Sequence, residues 1–194
     1  MQGLLPIHIN ASRMTDEEFV QFCEDNPELR MERTSSKEII IMSPNFPFSS
    51  AVNGEIYLAV SSWNKLHHAG RVFDSSAGFF LADGSLRSPD VAWIPKSEWE
   101  KLVKESKKNF LKYCPDFIVE VKSQSDRLSD LKKKMEGWIK NGCRLGWLID
   151  PDTEKVWIYV PDKEPREISG FDNALSGEDV LNGFVLNLSD LRLD

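Results

Sequence analysis

The fold of this chain is decided by a stretch that opens with Phe117-Ile118-Val119-Glu120-Val121-Lys122. Its first five residues form an apolar run interrupted only by Glu120, which is typical of a buried central strand. Residues 128–141 carry a helical pattern that stops at Gly142, and residues 144–149 again predict a strand. A strand, a helix and a second strand in this order predict a right-handed crossover between two parallel strands.

The residues before this stretch alternate between helical and extended patterns. Thr15 and Glu18 form a capping box that predicts a short helix. Residues 30–34 and 38–42 predict a hairpin, and residues 49–67 predict a long helix. Three further strands and a second capping box follow, at residues 71–73, 78–81, 87–94 and 97–100.

After the deciding stretch, residues 155–160 predict another strand, and residues 175–191 predict a turn, a short strand and a final short helix. The whole pattern belongs to the α/β class in its mixed, α+β form. We expect a mixed central sheet flanked by helices, in a single domain over residues 1–194.

The composition is that of an ordinary globular protein, with 41% hydrophobic and 28% charged residues. Three scattered cysteines show no zinc-binding spacing and favour a reducing, cytoplasmic location. No signal peptide is visible, and no stretch approaches the roughly 20 apolar residues that a membrane span needs. The net charge of −7 argues against nucleic acid as a partner, although a basic strip can coexist with a negative total.

Glu120 and Lys122 are charged residues two positions apart on an otherwise apolar strand. Side chains repeat every second residue along a strand, so both are expected to point to the same face. Charges on a buried strand are costly unless they are paired or have a function. A simple ion pair at the end of the strand is the structural alternative to a functional site.

Asp90 adds a second carboxylate to this picture. It follows Pro89 at the start of the apolar stretch Val91-Ala92-Trp93. If that strand is adjacent to residues 117–122 in a sheet, the side chains of three residues meet at one site: Asp90, Glu120 and Lys122. Two facing carboxylates favour a divalent cation between them, and an all-oxygen set suits Mg²⁺ or Mn²⁺. A nearby lysine can then orient or deprotonate a water for attack on a phosphodiester.

Pro89-Asp90, followed about thirty residues later by Glu120-Val121-Lys122, resembles the PD-(D/E)-x-K signature of restriction-endonuclease-like nucleases. The wider context, from about residue 14 to residue 191, resembles the Uma-type family of restriction endonucleases. The stretches that carry this resemblance are, in one-letter code, MSP at 42–44, FDSSAGF at 73–79, CPDFIVE at 114–120, GCRLGWLIDP at 142–151 and LSGEDVLNGF at 175–184.

The resemblance implies a mixed sheet with flanking helices, a metal site on its central strands and a homodimer that acts on DNA. It assigns Asp90 and Glu120 as metal ligands and Lys122 as the lysine of the motif. Related nucleases often place a further metal-binding acid on the first long helix, which here is Glu55, although a solvated surface acid is an equal alternative. Many relatives carry a histidine shortly after Ser-Pro, whereas this chain has Ser49 and Ser50.

Lys134 and Trp138 lie four residues apart and share a face of the predicted helix. Lys134 is within reach of the site or of a phosphate, but a surface position is the usual one for lysine.

Three functions compete. The first is a Mg²⁺-dependent endodeoxyribonuclease that uses Asp90, Glu120 and Lys122. The second is a catalytically silent module that binds nucleic acid or protein and retains the nuclease fold. The net negative charge of the chain favours this second function. The third is a glycosidase with Asp90 and Glu120 as its carboxylate pair, against which Lys122 argues.

Overall fold

The computed structural model describes residues 6–44, 46–101 and 110–193. Its strands are β1 (Ile7–Asn10), β2 (Arg30–Arg33), β3 (Glu38–Met42), β4 (Gly70–Asp74), β5 (Phe79–Phe80), β6 (Leu86–Arg87), β7 (Val91–Pro95), β8 (Phe117–Val121), β9 (Leu145–Asp150), β10 (Lys155–Tyr159), β11 (Arg166–Ser169), β12 (Ala174–Ser176) and β13 (Val185–Asn187). Its helices are α1 (Asp16–Asp25), α2 (Pro47–His67), α3 (Lys96–Lys101), α4 (Leu128–Lys140) and a 3-10 helix at Leu188–Leu191.

A six-stranded sheet in the described part of the chain has the order β11-β10-β9-β8-β7-β4. β8 and β9 are parallel and joined through α4, and the other neighbours in this sheet are antiparallel. The predicted parallel pair and the mixed sheet are therefore confirmed. β8 lies between β9 and β7, and Phe117–Val121 is buried throughout, as its apolar run predicts.

Helices cover this sheet on both faces. Residues on one face of β8 pack with α2 and with the C-terminal segment, in a cluster that includes Val52, Val119 and Leu181. Ile118, on the opposite face of β8, packs with Met135 of α4. The alternation of side chains along β8 thus sends odd-numbered residues toward α2 and even-numbered residues toward α4.

A five-stranded sheet, also among the described residues, has the order β1-β3-β2-β6-β5. The hairpin of β2 and β3 is confirmed. β2 lies in the middle of this sheet, and its residues Met31, Glu32 and Arg33 are all buried. β1 was not predicted from the sequence; it pairs with β3 at the edge and has exposed residues throughout.

The single strand predicted for residues 87–94 is wrong. The chain instead forms two strands, β6 in the five-stranded sheet and β7 in the six-stranded sheet, separated by Ser88-Pro89-Asp90. Pro89 has no N–H to donate to a ladder, and the N–H of Ser88 donates to the carboxylate of Glu32 instead of to a strand. At Ser88-Pro89-Asp90 the chain leaves the five-stranded sheet and enters the six-stranded sheet, and Asp90 is the last residue of this connection.

Both capping boxes lie in the described part of the chain. The box of Thr15 and Glu18 is confirmed, with both reciprocal hydrogen bonds present. The second box is wrong in its starting point, because α3 begins at Lys96, directly after β7 ends, and Ser97 lies inside the helix. Lys104, Lys107 and Lys108, in a lysine-rich stretch after α3, lie outside the described residues. No helix among the described residues combines the length and the apolar character that crossing a membrane requires.

Candidate functional site

Asp90 and Glu120 face each other across two neighbouring strands. β7 and β8 are antiparallel with Val91 opposite Val119, which brings Asp90, one residue before β7, opposite Glu120. The Asp90 carboxylate accepts the N–H of Val121 through Oδ2 (2.8 Å) and the amide of Asn53 through Oδ1 (2.9 Å). The strand adjacency on which the convergence of these acids depends is therefore confirmed, while their functional roles stay predictions.

Glu120 is a buried carboxylate with partners on both oxygens. Its residue is only 3% exposed. The ammonium of Lys134 lies 2.9 Å from each of its two oxygens, and the indole N–H of Trp138 donates to Oε1 at 2.9 Å. Burial raises the pKa of Glu120, and the charges of Asp90 and Glu32 add to this shift while Lys134 opposes it. The side chain is held in one orientation by α4.

Lys134 is not a surface lysine, so the structure corrects the position that the sequence favours. Its side chain is 15% exposed, and its ammonium also lies 2.8 Å from Oε1 of Glu32. Burial would lower its pKa, but Glu120 and Glu32 outweigh that effect and raise it. Lys134 is therefore a charged cation shared between two buried carboxylates.

Glu32 reaches this cluster from β2 of the other sheet. Arg87 donates to its Oε2 at 2.9 Å, and the N–H of Ser88 donates to its Oε1 at 3.0 Å. Burial disfavours the charged form of Glu32, but Lys134 and Arg87 outweigh it and lower the pKa. The segment that places Asp90 thus also anchors Glu32.

Lys122 follows β8 and continues its ladder, since its N–H donates to the carbonyl of Ile149 at 2.8 Å. Its ammonium lies 3.6 Å from Oδ2 of Asp150, at the end of β9. Oδ1 of Asp150 is buried and has no hydrogen-bond partner among the described residues. The contacts found in the described part of the chain join Lys134, rather than Lys122, to Glu120.

Glu55 lies on α2 with an exposed side chain. The α2 residue that reaches Asp90 is Asn53. Two positions on a helix are separated by about 200°, so the two side chains leave α2 in different directions. The structure therefore connects α2 to the site through an amide, and the metal-binding role of Glu55 stays a prediction.

The donor set around Asp90 suits a hard divalent cation. Asp90 and Glu120 supply two carboxylates. Burial raises the pKa of Asp90, while the hydrogen bonds from Val121 and Asn53 act in the opposite direction and lower it. Oδ1 of Asn53 is a buried acceptor that lacks a partner among the described residues. No group of three or more acidic, histidine or cysteine side chains in the described ranges is arranged to hold a metal. Mg²⁺ usually takes one or two carboxylates and keeps several waters, so two carboxylates and an amide oxygen fit it.

Three residues of the cluster were not predicted from the sequence or were predicted to lie elsewhere. Lys134 lies on the apolar stripe of Leu131, Met135 and Trp138, and that spacing was the available signal for its burial. Asn53 similarly lies beside Val52 on the buried side of α2. Glu32 carried no local signal, because its burial depends on the strands that flank β2 on both sides.

The six-stranded mixed sheet with helices on both faces has a restriction-endonuclease-like fold. A crystal structure described as a putative nuclease belonging to DUF820 from Anabaena variabilis ATCC 29413 is similar, with a TM-score of 0.77. It is 23% identical, over 92% of this chain and 97% of that one. A likeness at that identity shows the shared fold.

The family of the chain follows from its sequence. The family model Uma2, described as "Putative restriction endonuclease", matches residues 16–189, and the chain belongs to this family. An electron cryomicroscopy structure of a DrdV–DNA complex has a TM-score of only 0.40 and 15% identity, over 62% of this chain and 10% of that one. No curated protein matches this chain.

Proposed function

We propose that this chain is a Mg²⁺-dependent nuclease that hydrolyses phosphodiester bonds in DNA. The observation that carries the proposal is a pair of facing carboxylates: buried Glu120 on β8 and half-buried Asp90, directly before β7. Membership of a restriction endonuclease family supports it. Lys134 lowers the pKa of Glu120 but does not cancel the effects of burial and of Asp90, so the pair still favours a divalent cation, which nucleases use at the scissile phosphate.

Asp90 and Glu120 would hold the cation, with the free amide oxygen of Asn53 beside them. The bound cation would supply Lewis-acid polarisation of the phosphate and a more acidic water. The peptide N–H of Val121 and the indole of Trp138 hold the two carboxylates in place. Lys122 is the proposed residue that orients the attacking water, and its contact with Asp150 keeps its ammonium at the end of β8.

The alternative is a catalytically silent module that binds nucleic acid or protein. The specific observation in its favour is that Lys134 contacts both oxygens of Glu120, so an ammonium already neutralises one acid of the pair. The net charge of −7 also favours a partner other than nucleic acid.

Cleavage of supercoiled plasmid DNA in the presence of Mg²⁺ or Mn²⁺ tests the proposal. Asp90→Asn keeps the size of the side chain but removes its charge, and we expect it to abolish cleavage. Asp116→Asn is a matched control, because Asp116 is a buried acid that lies just before the opposite end of β8. Wild-type protein that cleaves neither DNA nor RNA with either ion would contradict the enzyme and favour the silent module.

We also propose a homodimer in the cytoplasm. The three cysteines are all free, which suits a reducing compartment. The dimer rests on the family resemblance, and sedimentation equilibrium of the purified protein tests it: a mass near 22.2 kDa would contradict it.

A further inference from the structure

Lys134 has two anionic partners, and only one of them belongs to the proposed metal pair. Its ammonium lies 2.9 Å from both oxygens of Glu120 and 2.8 Å from Oε1 of Glu32. A divalent cation at Glu120 needs the same oxygens that the ammonium now contacts. Cation binding therefore requires Lys134 to give up part of its contact with Glu120.

Glu32 is held in place independently of Glu120. Arg87 and the N–H of Ser88 fix its two oxygens from the segment between β6 and β7. Its residue is 3% exposed, and it extends from β2 in the five-stranded sheet, whereas Glu120 belongs to the six-stranded sheet. The position of the Glu32 carboxylate therefore does not depend on whether Glu120 binds an ammonium or a metal ion.

A buried ammonium that loses its only partner is strongly unfavourable. Without Glu32, release of Glu120 to a metal ion would leave Lys134 in that state, and Lys134 would compete with the ion. With Glu32 present, the ammonium keeps a carboxylate partner at hydrogen-bond distance. We propose that Glu32 is a positioning residue that retains Lys134 when Glu120 takes up a divalent cation, an inference that rests on the proposed function.

Direct measurement of Mn²⁺ binding tests this inference without any cleavage assay. Titration followed by electron paramagnetic resonance of free Mn²⁺ is applied to four proteins: wild type, Glu32→Gln, Lys134→Met and the double variant. We expect Glu32→Gln to weaken Mn²⁺ binding by about tenfold when Lys134 is present, a coupling of ordinary size for contacting residues. In the Lys134→Met background the competitor is gone, and the same substitution should change the affinity by at most about twofold.

The comparison of the two backgrounds separates positioning from a general effect of charge or folding. Loss of a negative charge or of local order would weaken Mn²⁺ binding equally with and without Lys134. An equal loss in both backgrounds, or Glu32→Gln with wild-type affinity, overturns the inference. Glu154→Gln is the matched control, because it removes an acid whose partner is Arg192, in the turn between β9 and β10, and it should leave the affinity unchanged.

Two further outcomes are decisive. If Glu32→Gln does not fold, the same four-protein cycle uses Glu32→Asp, which keeps the charge and withdraws the carboxylate by one methylene. The same dependence on Lys134 is expected, and its absence overturns the inference. If the wild-type protein itself binds no Mn²⁺, the metal site of the proposed function fails, and this result is distinct from a failure of Glu32 alone.

Discussion

Two lysines near the end of β8 differ sharply in their surroundings. Lys134 of α4 contacts two buried carboxylates, Glu120 and Glu32, at 2.8 to 2.9 Å. Lys122 contacts one, Asp150, at 3.6 Å. Their side chains are almost equally exposed, at 15% and 16%.

The difference teaches that proximity in sequence and contact in space are separate properties. Lys122 is two residues from Glu120 and points to the same face, yet it pairs with the neighbouring strand. Lys134 is fourteen residues from Glu120 and reaches it because α4 packs over the even-numbered face of β8. We expect this contrast between the two lysines to appear in the free energy of unfolding, with the largest loss at Lys134.

Lys134→Met is expected to destabilise the protein most, by about 3 kcal/mol, because it leaves two buried carboxylates without their shared cation. Urea denaturation followed by tryptophan fluorescence measures the loss. Lys122→Met is the matched control, since it removes the same charge from a side chain of similar exposure. Equal losses for the two variants would break the contrast between the lysines.

Trp138→Phe is expected to cost about 2 kcal/mol, because the buried Oε1 of Glu120 loses its indole donor while most of the ring remains. The same denaturation experiment measures it. Trp157→Phe serves as a control, since the indole of Trp157 donates to the exposed residue Glu167. A larger loss for the control would show that ring packing, rather than the bond to Glu120, dominates.

Lys122→Ala is expected to cost only about 1 kcal/mol, because its contact with Asp150 is long. Under the proposed function it should nevertheless abolish nicking of DNA while leaving Mn²⁺ binding largely intact. Plasmid cleavage and Mn²⁺ titration of the same preparation check both statements. Retained nicking in this variant, with loss in Lys134→Met, would transfer the catalytic role to the lysine of α4.

Glu55→Gln is expected to change stability by no more than about 0.5 kcal/mol, because the side chain is exposed on α2. If Glu55 is a metal ligand as predicted, Mn²⁺ affinity should fall at unchanged stability. Asn53→Ala on the same helix sharpens the comparison, since Asn53 contacts Asp90 directly. A Mn²⁺ affinity that responds to Asn53 alone would remove Glu55 from the site.

The elements that the sequence predicted well are those whose signal is local. The apolar run of β8, the helical spacing of α4 and the capping box at Thr15 each depend on neighbouring residues. The strand pair β8–β9 also followed, because a strand, a helix and a strand are connected in one handedness. The break at Ser88-Pro89-Asp90 was missed, since the second sheet that receives β6 is not visible in a local pattern.

By itself, the sequence determined that Glu120 is a charge on a buried strand, and that Asp90 follows a proline at the start of another. Side-chain alternation and the chemistry of proline act over a few residues, so these conclusions need no partner strand. Only the tertiary structure decided that Asn53, Lys134 and Glu32 complete the cluster. They come from α2, α4 and the other sheet, and burial of their polar and charged groups becomes favourable only when folding brings their partners within hydrogen-bond distance.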